Sequence, residues 1–417
     1  MDRFWIDGGK PLRGTVRMSG SKNAALPILL ATLLTDEPCR IDNVPSRLRD
    51  IRTTFRLLES LGKKVAVKGD TVRVLPYRRL LIQAPYELVK QMRASVLVSG
   101  PLLARFGRVI VPLPGGCAIG MRPIDIHLKA FAALGAQETV EHGDIMLSGG
   151  VRPGRVRFKF PSVGATENIM MAAAAVPGET VIQNAAREPE IADLADFLER
   201  MGARVRGAGS PTVRVRGAAV LRGVQHRVIP DRIETGTFML AAAATQGRLR
   251  LTGAAPEHLR AVILKMREAG AMVRERAGEI LVSMRGRPRA ASIVTEPYPG
   301  FPTDLQAPWM AWMTLARGRS RAAEKIFEKR FLHAGELSRM GARIAVAGDS
   351  AVVEGVAALS GAPIMASDIR AGAALLVAAL AAHGRTDLQR VYHIDRGYEQ
   401  VESKLRKVGA RIKRVKR

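Results

Sequence analysis

One pattern constrains this chain more than any other. A helix-like segment ending in an apolar residue and glycine, usually followed by alanine, recurs six times: Leu61-Gly62, Leu134-Gly135-Ala136, Met201-Gly202-Ala203, Ala269-Gly270-Ala271, Met340-Gly341-Ala342 and Val408-Gly409-Ala410. The glycines are 73, 67, 68, 71 and 68 residues apart. Each stands where a helix ends in a left-handed residue, a conformation that glycine adopts without the steric cost of a Cβ. Val65, Val205, Val273, Ile344 and Ile412 follow within a few positions and predict the next strand. About forty residues before each glycine a second helix is predicted, rich in small apolar residues, as in Ile169-Met170-Met171-Ala172 and Phe238-Met239-Leu240-Ala241. Helices apolar nearly all round are buried, whereas the helix that ends at each glycine is amphipathic. Six such units predict an α/β chain of two domains, each of three repeats with buried helices inside and sheets around them. The stretch Val228-Ile229-Pro230-Asp231 is the natural seam.

Unusual residues keep phase with this repeat. Lys22, Arg93, Gly164, Asp231, Asp304 and Arg370 lie 40, 42, 38, 39, 37 and 39 residues before their glycines, at the predicted starts of the buried helices. Free backbone N–H groups and the helix dipole favour anions there. Arg122, Glu188, Arg330 and Arg396 lie 13, 14, 11 and 13 residues before theirs, at the starts of the surface helices. Two three-fold domains facing across a cleft would bring Lys22, Arg122, Arg330, Arg370 and Arg396 onto one anionic ligand.

Composition narrows the function classes. A 47% hydrophobic and 25% charged chain of 417 residues is neither disordered nor fibrous. Its longest apolar run, Ala371 to Ala382, has 12 residues, short of the roughly 20 that span a bilayer. The opening Met1-Asp2-Arg3-Phe4-Trp5 has no basic stretch followed by an apolar one, so no secretory signal is expected. Two cysteines make no disulfide framework, which points to a reducing cytoplasm. Lys and Arg number 65 against 38 Asp and Glu, a net charge of +27. Such an excess raises nucleic acid or an anionic surface as a partner, but the basic residues are scattered and aromatics are only 5%. The sequence therefore favours a solvated, arginine-rich surface. The seven histidines show no metal-ligand spacing, and there is neither a Walker loop nor a GxGxxG motif. No metal or cofactor is expected.

The sharpest local motif is Pro114-Gly115-Gly116-Cys117-Ala118-Ile119-Gly120-Met121-Arg122-Pro123. Its glycines and prolines describe a loop, and Cys117 is either a thiol whose pKa Arg122 lowers, fit to act as an acid or a nucleophile, or an inert surface cysteine on a flexible loop. Cys39, ahead of the predicted strand Arg40–Val44, reads instead as a small buried hydrophobe. In Phe301-Pro302-Thr303-Asp304-Leu305-Gln306, Thr303 is the expected N-cap. Asp304 is either a general base for a hydroxyl or a first-turn carboxylate that only stabilises the helix dipole.

Taken together, Ser21-Lys22-Asn23-Ala24-Ala25-Leu26-Pro27, the Gly115–Pro123 loop, Ser162-Val163-Gly164-Ala165-Thr166, Ala186-Arg187-Glu188-Pro189-Glu190, Pro230-Asp231-Arg232-Ile233-Glu234-Thr235-Gly236, Phe301–Gln306 and Asp395-Arg396-Gly397-Tyr398 resemble the UDP-N-acetylglucosamine 1-carboxyvinyltransferases of the enolpyruvyl transferase family. The resemblance runs the length of the chain. It implies two inside-out α/β barrel (prism) domains with the active-site cleft between them, one of residues 21–229, the other of residues 1–20 and 230–417. It implies transfer of enolpyruvyl from phosphoenolpyruvate to UDP-N-acetylglucosamine with loss of phosphate. Lys22, Arg122 and Arg396 would then hold the phosphate, Arg330 and Arg370 the carboxylate. Cys117 would donate a proton or assist product release and bond covalently to fosfomycin. Asp304, with Asn23 nearby, would face the sugar 3′-hydroxyl, and Arg93 would couple to domain closure. Pro123, Ile124, Asp125, Ile126, Ser162, Val163, Gly164 and Ile326 would contact the nucleotide sugar. Phe160 stands where some members have lysine. Two alternatives remain: a 5-enolpyruvylshikimate-3-phosphate synthase-like transferase, and an RNA-binding or RNA 3′-end-processing protein of related repeats.

Overall fold

The computed structural model describes residues 2–112 and 124–416. Cys117, Arg122 and Pro123 lie outside the described residues. The chain divides into two compact units, residues 20–112 with 124–229 and residues 2–19 with 230–416.

In the first unit the inner helices are Lys22–Ala31, Ser99–Phe106 and Val163–Ala174. The first and last are almost wholly buried, and both pack on their neighbours in the unit. Three sheets belong to this unit. One joins Gln225–Arg227, Cys39–Asp42, Thr71–Pro76 and Lys63–Lys68; a second joins Arg108–Pro112, Asp144–Ser148 and Gln137–Glu141. The third joins Arg204–Arg206, Thr212–Gly217, Gly178–Gln183 and Arg155–Arg157. Cys39 is 1% exposed at the start of its strand, and burial pushes its thiol pKa up.

The second unit repeats the plan. Its inner helices Arg232–Ala244, Gln306–Met313 and Ile369–Ala381 pack pairwise on one another. Trp309 and Trp312 are buried there with rings edge to face at 5.2 Å. One sheet is completed from the chain's start: Arg3–Asp7 lies antiparallel between Arg385–Gln389 and Arg411–Val415. Arg13–Arg17 adds a parallel edge to Arg248–Thr252. Ser19 fastens this segment, because its N–H donates to buried Glu234 Oε2 at 2.7 Å and Lys404 Nζ donates to Glu234 Oε1 at 2.6 Å.

All six landmark glycines adopt positive φ, between 90° at Gly341 and 119° at Gly202, so the helix-ending role read from the sequence holds. The inner helices start by two routes. Ser21, Ser162, Asp231 and Asp368 cap four of them with side-chain oxygens, each satisfying orphan N–H groups of the first turn. The other two continue from the 3₁₀ turns Arg93–Val98 and Thr303–Leu305. Here the expected Thr303 cap is corrected: Pro302 holds the cap position, and the Thr303 hydroxyl donates to Glu324 Oε2 at 2.9 Å. A buried carboxylate accepts a hydroxyl proton more strongly than a neutral carbonyl does.

The inner helices meet closely at Gly100, where an added Cβ would lie 2.4 Å from the Asn168 carbonyl oxygen. Nothing lies within 4 Å of a Cβ at Gly341. Gly341→Ala is therefore expected to cost about 1–2 kcal/mol through left-handed strain alone. Gly100→Ala is expected to cost about 3 kcal/mol through overpacking. Urea denaturation of both variants checks this order, and the reverse order would contradict the close approach.

Candidate active site

In the second unit the electrostatic centre is Asp304, in the turn that opens the helix Gln306–Met313. Arg370 Nη2 donates to Asp304 Oδ2 at 2.9 Å, and Arg330 Nη2 stands 3.7 Å from Oδ1. Burial alone would raise the Asp304 pKa, but the Arg370 and Arg330 charges override it and hold the carboxyl well below its usual range. Arg370 answers in kind: burial works against its charge, and Asp304 outweighs burial and raises its pKa. Its guanidinium lies close over Gly397, so that a Cβ there would meet Nη1 at 3.8 Å. That places Arg396, the last residue of the turn Val391–Arg396, on the chain segment beside it.

Glu324 builds the floor of this arrangement. It is 4% exposed, and its Oε1 accepts from the N–H groups of Ile326 and Phe327 at 2.9 and 3.1 Å while Oε2 takes the Thr303 hydroxyl. One buried carboxylate thus ties the Asp304 turn to the segment that carries Ile326 and Arg330. Sequence reading passed over Glu324. Its signal was an acid directly after the apolar Ala322-Ala323 strand end.

The first unit carries the counterpart. Lys22 is the first residue of its helix and 7% exposed, with Nζ 3.4 Å from Asp50 Oδ2. A cation at a helix N-terminus opposes the dipole, so a buried carboxylate is needed nearby. Asn23 follows, half-buried. Arg93 opens the turn that packs on this helix.

Beside Arg93 stands His127, a residue that sequence reading did not single out. It is on the helix Asp125–Ala133, so Ile124, Asp125 and Ile126 lie one turn ahead of it. A Cβ at Gly164 would meet the His127 ring at 3.3 Å, which brings the Ser162-Val163-Gly164 helix start against the same helix. Asn168 binds the two together. Its Oδ1 accepts from the Gly100 N–H at 2.7 Å, and its Nδ2 donates to the Val96 carbonyl and lies 3.1 Å from His127 Nδ1. With Nδ2 as donor, His127 Nδ1 is an acceptor and the ring is neutral. Burial first and the Arg93 charge second lower the His127 pKa to about 4.

Within the described residues, then, Asp304, Arg330, Arg370 and the Arg396 segment converge in one unit, while Arg93, Ile124, Asp125, Ile126, Ser162, Val163 and Gly164 gather around His127 in the other. Lys22 is held by Asp50 on the adjoining helix. Phe160 is 39% exposed. Among the described residues no helix is long and apolar enough to cross a membrane, and no group of three or more His, Cys, Asp or Glu is placed to hold a metal ion.

The His127 shift has a definite sign. A histidine whose folded pKa lies below the ordinary 6.5 leaves stability intact above pH 6.5 and removes it as pH falls toward 4, because the unfolded chain takes the proton first. Between pH 7 and pH 5 this group should remove about 2 kcal/mol. His127→Gln should flatten that part of the pH–stability profile measured by urea denaturation. An unaltered profile would mean that the ring is not held neutral.

Comparison with known proteins gives the family. The family model for EPSP synthase (3-phosphoshikimate 1-carboxyvinyltransferase) matches residues 6–405. The UDP-N-acetylglucosamine 1-carboxyvinyltransferase of Trichlorobacter lovleyi is 54% identical over 417 residues, covering 100% of this chain and 99% of the relative. Its counterpart from Geobacter metallireducens is 53% identical and covers 100% of both. Among solved structures, the enolpyruvyl transferase NikO from Streptomyces tendae superposes with a TM-score of 0.90 at 25% identity over 99% of each chain. EPSP synthase from Acinetobacter baumannii shares the fold, with a TM-score of 0.73 at 18% identity over 100% of each chain. Full-length identity above one half, together with a shared fold, places this chain in the enolpyruvyl transferase family, among the UDP-N-acetylglucosamine 1-carboxyvinyltransferases.

Proposed function

We infer that the chain transfers the enolpyruvyl group of phosphoenolpyruvate to the 3′-hydroxyl of UDP-N-acetylglucosamine and releases phosphate, the first committed step of peptidoglycan synthesis. The observation that carries this reading is the 54% identity over the whole chain. In the reaction the hydroxyl oxygen attacks C2 of phosphoenolpyruvate as a proton arrives at C3. The tetrahedral ketal then loses a proton and expels phosphate, restoring the double bond. The positive charge that develops at C2 sits between anionic substituents, so preorganised cations must hold the phosphate and carboxylate without quenching the reacting centre.

Arg330 and Arg370 suit the carboxylate, since two guanidiniums already grip one carboxylate between them. Lys22 and Arg396, with Arg122, are assigned to the phosphate. Asp304 takes the proton of the attacking hydroxyl and Asn23 helps to orient it. Ser162, Val163, Gly164, Pro123, Ile124, Asp125, Ile126 and Ile326 are assigned to the nucleotide sugar, with Arg93 linked to closure. Cys117 supplies a proton or assists release. The reading places the protein in the cytoplasm.

The runner-up is shikimate 3-phosphate as acceptor, favoured by the name of the matching family model. A coupled phosphate-release assay decides: activity is expected with UDP-N-acetylglucosamine, and activity with shikimate 3-phosphate alone would overturn the assignment. Arg370→Met should lower kcat/KM by 100-fold or more, the loss of about 3 kcal/mol of charge-assisted binding. Cys117→Ala should lose covalent labelling by fosfomycin in mass spectrometry, and retained labelling would remove Cys117 from its role.

A further inference from the structure

An arginine stands where the alternation of a strand calls for an apolar residue. In Arg411–Val415, Ile412 is buried, and Arg414, two residues on, shares its face. The Arg414 guanidinium lies 4.8 Å over the ring of buried Phe4, the residue opposite it on Arg3–Asp7. Its head meets three carboxylates. Nη2 and Nη1 donate to Asp395 Oδ1 and Oδ2 at 2.6 and 3.0 Å, a bidentate grip, and Nε donates to Glu402 Oε1 at 2.8 Å. The third, Asp2 Oδ2, is the most distant at 3.3 Å. The other oxygen of Glu402 is buried with no hydrogen-bond partner among the described residues, which makes that carboxylate depend on Arg414. By contrast Arg385 and Arg250, also on strands of this unit, each pair with one carboxylate among the described residues, Asp7 and Glu279.

The two closest partners bracket the segment that carries Arg396. Asp395 is the residue before it, in the turn Val391–Arg396, and Glu402 lies in the first turn of the helix Val401–Lys407. The chain enters and leaves this segment in the left-handed region, with φ of 56° at Arg390 and 48° at Gln400. Residues with a Cβ, Asn and Asp apart, seldom adopt that conformation, so surrounding contacts must over-determine it. Arg414 supplies them on one side. On the other, Tyr398 is buried with its hydroxyl 2.9 Å from Thr237 Oγ1 on the inner helix Arg232–Ala244. Arg396 and Gly397 are the residues between these two anchors.

We propose that Arg414 is a positioning residue for Arg396: by gripping Asp395 and Glu402 it fixes the segment that presents Arg396 to the phosphate of phosphoenolpyruvate. The inference rests on the reaction and the phosphate role proposed above. A planar fork that takes both oxygens of one carboxylate sets direction as well as distance, and here it sets them for the residue next to Arg396. A guanidinium carried on a backbone held at both ends loses less conformational freedom when an anion binds, and that saving appears as affinity. A tie that served the sheet alone would favour Asp2, which leads into the strand Arg3–Asp7. Instead the shorter contacts go to Asp395 and Glu402. Arg414 acts through Arg396 and touches no substrate in this scheme.

Steady-state phosphate release by the full chain, with each substrate varied in turn, tests this beside hydrogen exchange of the peptide spanning residues 390–400. Arg414→Gln should raise KM for phosphoenolpyruvate about 10-fold or more, leave KM for UDP-N-acetylglucosamine within about 2-fold, and speed exchange in that peptide. In an Arg396→Gln background the same change should alter kcat/KM by no more than about 3-fold, because the residue it positions is gone. Arg414→Lys keeps the charge without the fork and should recover only part of the loss. If Arg414→Gln folds poorly, Asp395→Asn removes the bidentate partner and should show the same rise confined to phosphoenolpyruvate. Arg385→Gln breaks an exposed bidentate pair in the same sheet and should leave both KM values within about 2-fold. Equal rises in both KM values, a full multiplicative loss in the Arg396→Gln background, or unchanged exchange overturns the proposal. Failure of the parent to use UDP-N-acetylglucosamine overturns the reaction assignment and the phosphate half of this proposal with it, while exchange still decides whether Arg414 holds the segment.

Discussion

Cations held at the positive ends of buried helices are the constraint around which this molecule is organised. Lys22 and Arg370 each stand in the first turn of an inner helix, where the dipole and the free N–H groups already concentrate positive potential. Burial compounds the cost, since an isolated charge in an apolar surrounding is far more expensive than a paired one. Each is therefore joined to a carboxylate, Lys22 to Asp50 and Arg370 to Asp304. These pairs are not a general source of stability, because desolvation consumes much of what the Coulomb attraction returns. What each pair provides is a cation fixed in place at a helix start.

The scaffold that fixes those helix ends was legible in the sequence to the extent that it is local. The six glycines announce left-handed helix ends, and all six adopt them. The apolar inner helices announce their burial through composition alone. What no local pattern shows is long-range strand exchange; only the family resemblance implied that residues 1–20 belong with residues 230–417. Arg3–Asp7 inserts between Arg385–Gln389 and Arg411–Val415, and Gln225–Arg227 extends the sheet of Cys39–Asp42. No periodicity marks these joins, because a short strand looks the same whether its partner is ten or four hundred residues away. Loop-closure entropy rises only slowly with separation, so the chain forms such closures at little extra cost.

The candidate site divides along the same line. Phase within the repeat located Lys22, Arg93, Gly164, Asp304 and Arg370 at helix starts, because equivalent positions in repeats occupy equivalent ends of elements. The residues that support them were invisible: Asp50, His127, Asn168 and Glu324 lie inside helices or at a strand end with no motif of their own. Their importance comes from polar satisfaction in a packed interior, where each buried donor needs an acceptor. The Thr303 expectation failed for this reason. A hydroxyl beside a helix start normally caps it, but the buried Glu324 carboxylate is the stronger acceptor within reach.

The low proton affinity of Asp304 also bears on how such a residue can act as a base. A carboxylate gripped by two guanidiniums is a poor proton acceptor, and Asp304 is held in that state. On the roles proposed for Arg330 and Arg370, a substrate carboxylate that took them over would remove the two largest lowering causes at once. Those charges would then be neutralised by another anion, while the burial that opposes ionisation remained. The proton affinity of Asp304 would rise as the donor bound. On that proposal the same exchange would turn the ion pair into the binding site for the anion and into a base for the hydroxyl, coupling chemistry to occupancy. Under this logic a neutral amide at Asp304 would leave anion binding less hindered while removing proton transfer, which separates the two roles that a single carboxylate combines.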